Sequence, residues 1–180
     1  MNNPGWEKMI QVEINPKFDD FVGLLALLHR SFAYMDGRID PPSSLHKLDV
    51  DALHEKARDE TLLTAVDGEK LVGCLFVRRN ADTLYLGKLA VDESARGNGV
   101  ARQLVDVAKL IGKQWSCKNM ELEVRVELTE NQSFFTRLGF EKVGESCHEG
   151  YEQPTSYRYC LLYTSPSPRD QRGSRMPSSA

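Results

Sequence analysis

Apolar residues recur at two periods along this chain, and the switches between them mark its elements. Met9 to Ile14 reads as a short strand. Asn15-Pro16 follows as a helix start, an N-cap with proline at the first helical position. Phe21, Leu24, Leu25, Leu28 and Phe32 fall at helical spacing, which predicts an amphipathic helix ending near Asp36-Gly37. A loop with two prolines, Pro41 and Pro42, leads to a short helix over 50–58 with Asp49 as its cap.

Thr61 to Val66 and Leu71 to Arg78 read as strands around Asp67-Gly68, a hairpin signal. The run Leu71 to Val77 is apolar on both faces, as a central strand is. Thr83 to Val91 is the next strand. A polar turn, Asp92 to Ala95, opens into Arg96-Gly97-Asn98-Gly99. A helix then runs from Val100 to about Trp115, with Val100, Leu104, Val107, Ala108 and Ile111 on one face. Met120 to Leu128 alternates, placing Met120, Leu122, Val124 and Val126 opposite Glu121, Glu123, Arg125 and Glu127. Thr129-Glu130-Asn131-Gln132 predicts a capping box, and Gly139 closes the helix it starts. Glu141 to Cys147, and a segment from Thr155 or Ser156, complete the strands. The order is β-α-α-β-β-β-α-β-α-β-β. It predicts an α/β (α+β) fold with a mixed, mostly antiparallel central sheet flanked by helices.

Composition changes this picture little. A chain of 180 residues is expected to form one domain. A net charge of −3 and the lack of a Lys/Arg cluster argue against a nucleic-acid surface. No apolar run is long enough to span a bilayer. The N-terminus lacks a basic segment followed by an apolar one, so no secretory signal is expected. Cys74, Cys117, Cys147 and Cys160 show no metal-ligand spacing, and a cytoplasmic location is expected. Cys160 to Ala180 departs from the preceding composition. Its residues back-translate into the two ends of a common sequencing adapter, with Gln171, Arg172 and Gly173 filling the barcode gap. The expectation is therefore a domain over 1–159 and a non-native, disordered tail over 160–180.

The chemistry concentrates at Arg96 to Ala101. A strand, a glycine turn and a helix start make an anion site, because glycines let backbone N–H groups crowd round phosphate oxygens at the positive end of the helix. Arg96 can add a charge-assisted contact. The P-loop and dinucleotide glycine patterns are both absent.

Leu89-Ala90-Val91, then Arg96-x-x-Gly99-x-Ala101 and a helix, resembles the acyl-CoA signature of GCN5-related N-acetyltransferases. Asn131-x-x-Phe134-Phe135-x-Arg137-Leu138-Gly139-Phe140 resembles that family's closing helix. The resemblance covers Met9 to Tyr159. It implies that Leu89, Ala90 and Val91 hold pantetheine through backbone groups. It also implies that Arg96, Gly97, Asn98, Gly99, Val100 and Ala101 hold the pyrophosphate of coenzyme A. Asn131 faces the cofactor arm, either as a contact to it or as part of the helix cap.

The implied activity is direct acetyl transfer from acetyl-CoA to a primary amine of a small or amino-acid-like acceptor, with no metal. The implied partners are acetyl-CoA and that amine, with no nucleic acid and no membrane, and a homodimer is also open. The family's acid is often a tyrosine, at a position that Phe135 occupies here, so Tyr85, Tyr151, Tyr157, Tyr159 or a water stand as substitutes. Glu121 and Glu123 are candidate bases or cross-strand partners. Asp36, Asp40 and His46 bracket the loop where the family builds its acceptor site. The missing acid and base leave a second reading, a non-catalytic acyl-CoA-binding module.

Overall fold

The computed structural model of the chain describes residues 10–14 and 17–163. Strand β1 (Ile10–Ile14) precedes helix α1 (Phe21–Phe32), which passes into a 3-10 turn at Ala33–Met35. A second such turn, Ser44–Lys47, leads to α2 (Val50–Asp59). Strands β2 (Thr61–Asp67), β3 (Lys70–Asn80) and β4 (Thr83–Val91) form an antiparallel meander. Then come α3 (Val100–Gln114), β5 (Asn119–Arg125), α4 (Thr129–Arg137), β6 (Glu141–Ser146) and β7 (Ser156–Leu162). The seven strands make one sheet in the order β1-β2-β3-β4-β5-β7-β6, as the expected mixed, mostly antiparallel architecture requires.

Two cores form because the central strand is apolar on both sides. Leu75 and Val77 of β3 face a core shared with Val100, Leu104 and Ile111 of α3 and Phe135 of α4. Cys74 and Phe76 face the other way, onto Leu24, Leu27 and Leu28 of α1 and Leu53 of α2. The helices thereby clamp β3 and β4 from both faces, and this fixes the place of the turn between β4 and α3.

The parallel contact between β4 and β5 is short. It pairs only Thr83, Leu84 and Tyr85 with Asn119, Met120 and Glu121. Beyond Tyr85 the two strands part. A bulge contributes to this: Cys74 stands opposite Ala90 and Phe76 opposite Gly87, so Lys88 and Leu89 lie against the single residue Leu75. Lys88 takes φ 55 there, a left-handed conformation rare for a residue with a side chain.

Several local expectations change. α1 begins at Phe21, with the Asp20 carboxylate accepting from the Gly23 N–H, and not at Pro16; Asn15 and Pro16 lie outside the described residues. The capping box at Thr129 does not form. Leu128 is the N-cap without a side-chain bond, and Gln132 instead donates to the carbonyls of Arg125 and Val126. β5 accordingly stops at Arg125 rather than Leu128. β7 runs past Tyr159, pairing Cys160, Leu161 and Leu162 with Glu121, Met120 and Asn119. Cys160 to Leu162, just past the expected boundary at Tyr159, continue this strand, and 164–180 lie outside the described residues.

Candidate functional site

Where β4 and β5 separate, the sheet opens into a cleft of about 690 Å³. Its floor is Leu86 to Val91 on one side and Leu122 to Arg125 on the other. The end of α1 (Ser31, Phe32) and the start of α4 (Asn131, Phe134) form its walls. Peptide groups of β4 that would ordinarily pair with β5 are left facing this space. One is used internally: the Ser31 hydroxyl donates to the Val91 carbonyl at 3.1 Å. Ser31 was legible only as a small polar residue at a core position of the helical repeat.

The glycine turn stands at one end of the cleft. Gly97 and Gly99 take φ 83 and 75, and Gly99 is the N-cap of α3. Only glycine adopts this conformation freely. The first intrahelical bond there runs from the Gln103 N–H to the Gly99 carbonyl, so the N–H groups of Val100, Ala101 and Arg102 remain without intrahelical partners. Six of the expected cofactor residues, Leu89, Ala90, Val91, Arg96, Ala101 and Asn131, line the cleft. Gly97, Asn98 and Gly99 form the exposed turn at its end, and Val100 is buried beneath them. Arg96 is tied back to α1, donating to the Ser31 carbonyl at 3.3 Å.

Asp92 holds this turn in place. It is buried, it accepts from the Ser94 hydroxyl and backbone N–H, and it pairs with Arg30 at 2.9 Å. The Ser94 hydrogen bond, then Arg30, hold its carboxyl well below the usual carboxylate range. Asp92→Ala is expected to cost about 1 to 3 kcal/mol at neutral pH, because it leaves these donors without their acceptor. A carboxylate depressed by folding stabilises the protein above its unfolded pKa, about 3.9, and that contribution is lost as pH falls towards the folded value. Urea unfolding of the two proteins should therefore show the wild-type advantage full near neutrality and shrinking below about pH 4.

The far rim joins the segment after α1 to α4. Asn131 Nδ2 donates to the Tyr34 hydroxyl at 2.9 Å, and Arg38 meets Glu130 through a two-pronged pair at 2.9 and 3.0 Å. Asn131 is thus a cleft residue rather than part of a cap. Tyr34 and Arg38 were missed in sequence because their partners lie 97 and 92 residues away.

The candidate proton-transfer groups scatter. Tyr159 is buried in the core, and Tyr157 stacks under the Lys142 ammonium at 3.5 Å. Tyr85 donates weakly to Glu121 at 3.4 Å, and Glu121 is paired with Arg158 at 3.5 Å. Asp36 pairs with His46 at 3.0 Å on the exposed surface. Phe135 lines the cleft and offers no proton. Glu123 lines it too, with the Ser146 hydroxyl at 3.2 Å and no basic partner among the described residues. Tyr151 donates to Asp40 at 2.5 Å, and that bond raises its pKa. Lys88, in the bulge, has its pKa lowered by burial and then by the neighbouring Lys56. No group of three or more metal-ligating side chains occurs among the described residues, and no helix there is long and apolar enough to cross a membrane.

Comparisons with known proteins agree with this geometry. The PaiA N-acetyltransferase of Thermoplasma acidophilum, in complex with coenzyme A, superposes with a TM-score of 0.72 at 16% identity, over 86% of this chain and 99% of that one. An acetyltransferase of Streptococcus agalactiae gives a TM-score of 0.65 at 18% identity, over 85% and 98%. These likenesses establish the fold. The L-2,4-diaminobutyric acid acetyltransferase of Chromohalobacter salexigens is 34% identical over 83 residues, which span 44% of this chain and 43% of that protein. The family model described as Acetyltransferase (GNAT) family matches residues 23–140, more than half of the sequence and all of the cleft from α1 to α4. The chain belongs to the acetyltransferase (GNAT) family.

Proposed function

We propose that the chain is an acetyl-CoA-dependent N-acetyltransferase acting on a primary amine of a small, amino-acid-like molecule. The observation that carries this reading is the continuity of the splayed β4–β5 cleft with the glycine turn at the start of α3. The turn suits a pyrophosphate, and the unpaired edge of β4 suits the amides of pantetheine. Leu89, Ala90, Val91, Arg96, Gly97, Asn98, Gly99, Val100, Ala101 and Asn131 make up the proposed donor site. The thioester would then lie where the strands part, open to an amine from the side of Glu123.

The reaction needs no covalent enzyme intermediate. The neutral amine attacks the thioester carbonyl, an N–C bond forms, the C–S bond breaks, and the thiolate takes up a proton as the amine loses one. Glu123, without a basic partner, is the cleft group suited to receive the amine's proton. Holding amine and thioester together supplies much of the rate in such a site. The diaminobutyric acid acetyltransferase relative supports an amino-acid-like acceptor.

Phe135 favours a second reading, a non-catalytic acyl-CoA-binding module, since it places no acid beside the leaving thiolate. Two measurements decide. Acetyl-CoA at about 100 times its Kd should stabilise the fold by about 2.7 kcal/mol, seen as a raised Tm that ATP and NAD do not match. Thiol release over a panel of amines should then exceed background hydrolysis. Absence of the shift would overturn the donor assignment. A shift without thiol release for any amine would favour the non-catalytic module.

A further inference from the structure

At the acceptor side of the cleft, two buried side-chain atoms of opposite charge have no partner. Nη1 of Arg125 and Oε1 of Glu127 are shut off from solvent and make no hydrogen bond. Neither completes an ion pair with the other or with any other described residue. The third such atom among the described residues, Asn119 Oδ1, belongs to the opposite end of β5.

The remaining atoms of both groups are held by one short segment. Arg125 Nη2 donates to the Pro42 carbonyl at 3.3 Å, and the Asp40 N–H donates to Glu127 Oε2 at 3.2 Å. Asp40 in turn accepts from the Tyr151 hydroxyl at 2.5 Å. Residues 40–42 and Tyr151 therefore lie over the end of β5 as a cover. Under it, a guanidinium and a carboxylate are oriented but not neutralised. Both residues are half-buried, but these two atoms are shut off from water, and polar atoms so placed ordinarily find partners.

A ligand that carries one carboxylate and one ammonium on adjacent positions would complete both. We propose that Arg125 and Glu127 hold the α-carboxylate and α-ammonium of a diamino acid, whose terminal amine is the acetyl acceptor. This rests on the N-acetyltransferase reading. Arg125 stands two residues along β5 from Glu123, about 7 Å in an extended strand, which is the reach of a side chain ending in an amine. Arg125 itself lines the cleft, so the guanidinium borders the splay, and Glu127 stands two residues beyond it. Tyr151 and residues 40–42 border the two groups and must shift to admit the ligand.

The test compares ligands trimmed of one charge at a time. Isothermal titration of the acetyl-CoA-saturated protein would use 2,4-diaminobutyrate, ornithine and lysine. The controls are their decarboxylated forms (1,3-diaminopropane, putrescine, cadaverine) and their forms lacking the α-amine (4-aminobutyrate, 5-aminopentanoate, 6-aminohexanoate). At least one diamino acid is expected to bind about tenfold or more tightly than both of its trimmed analogues. Arg125→Gln should erase the margin over the decarboxylated form, and Glu127→Gln the margin over the deaminated form. The urea unfolding midpoint serves as the control for folding in both variants, and the trimmed series on the wild-type protein stands without them.

Equal affinity for diamino acids and their trimmed forms, or no binding of any diamino acid, would overturn the proposal. The same outcome is expected if the two orphaned atoms merely share an ordered water. A diamino acid that binds with the expected margin but releases no thiol would leave this site standing and remove the catalytic reading. Thiol release with trimmed amines at equal efficiency would do the reverse.

Discussion

Gly99→Glu is expected to weaken acetyl-CoA binding by about a hundredfold or more while leaving the protein folded. Gly99 has φ 75, and a Cβ built there meets no atom within 4 Å, so the substitution disturbs no packing. It costs about 1 kcal/mol through the left-handed backbone, which a urea titration would register as a modest shift. Its effect on the ligand is far larger. A carboxylate would stand at the mouth of the N–H groups of Val100, Ala101 and Arg102, where the proposed pyrophosphate brings like charge. Affinity measured by calorimetry should fall by about two orders of magnitude or more, equivalent to about 3 kcal/mol. Gly99→Ala separates the contributions, since it strains the turn without adding charge and should lose much less. Unchanged affinity in Gly99→Glu would sink the assignment of the turn.

The largest expected loss of stability comes from Phe140→Ala. Phe140 is 2% exposed and follows Gly139, whose φ of 99 turns the chain sharply after α4. Its ring meets Phe135 edge-on at 5.6 Å, and Phe135 meets Phe134 at 5.1 Å. Truncation removes the end of this aromatic stack and opens a cavity in the core beneath α4. Phenylalanine-to-alanine changes at such sites cost about 3 to 5 kcal/mol, a large part of the stability of a chain this size. Because α4 also carries Glu130, Asn131, Phe134 and Phe135 into the cleft, acetyl-CoA affinity should weaken along with the urea midpoint. A midpoint unchanged in Phe140→Ala would mean that the stack does not anchor α4.

What could be read in the sequence was local. The order of elements followed from period and turn residues, and Asp49 caps α2 as its position implies, accepting from the Ala52 N–H at 2.8 Å. The turn and helix start over Arg96 to Ala101 were legible because their glycines and the following helical period lie within a few residues of each other. The parting of β4 and β5 was not legible, since alternation in each strand says nothing about where its partner leaves it. Nor was the rim, whose bonds join Tyr34 to Asn131 and Arg38 to Glu130 across most of the chain. The capping box failed for the same reason. Thr129 and Gln132 have the right spacing, but in the folded molecule Gln132 is drawn to the carbonyls where β5 ends, and the cap goes without a side chain. The incomplete pairing of Arg125 Nη1 and Glu127 Oε1 was equally hidden, because the alternating pattern assigns these residues only to the polar side of a strand.

The three residue pairs that join β4 to β5 are the seam between two half-sheets, one holding β1 to β4 and the other β5, β7 and β6. With a backbone ladder this short, the two halves are joined chiefly through the side-chain core that spans them. A ligand lying along the parting would contact both halves at once and do there what the missing ladder does not. Occupancy of the cleft would then be felt as rigidity across the whole sheet, and slowed amide exchange on both sides of the seam would accompany binding.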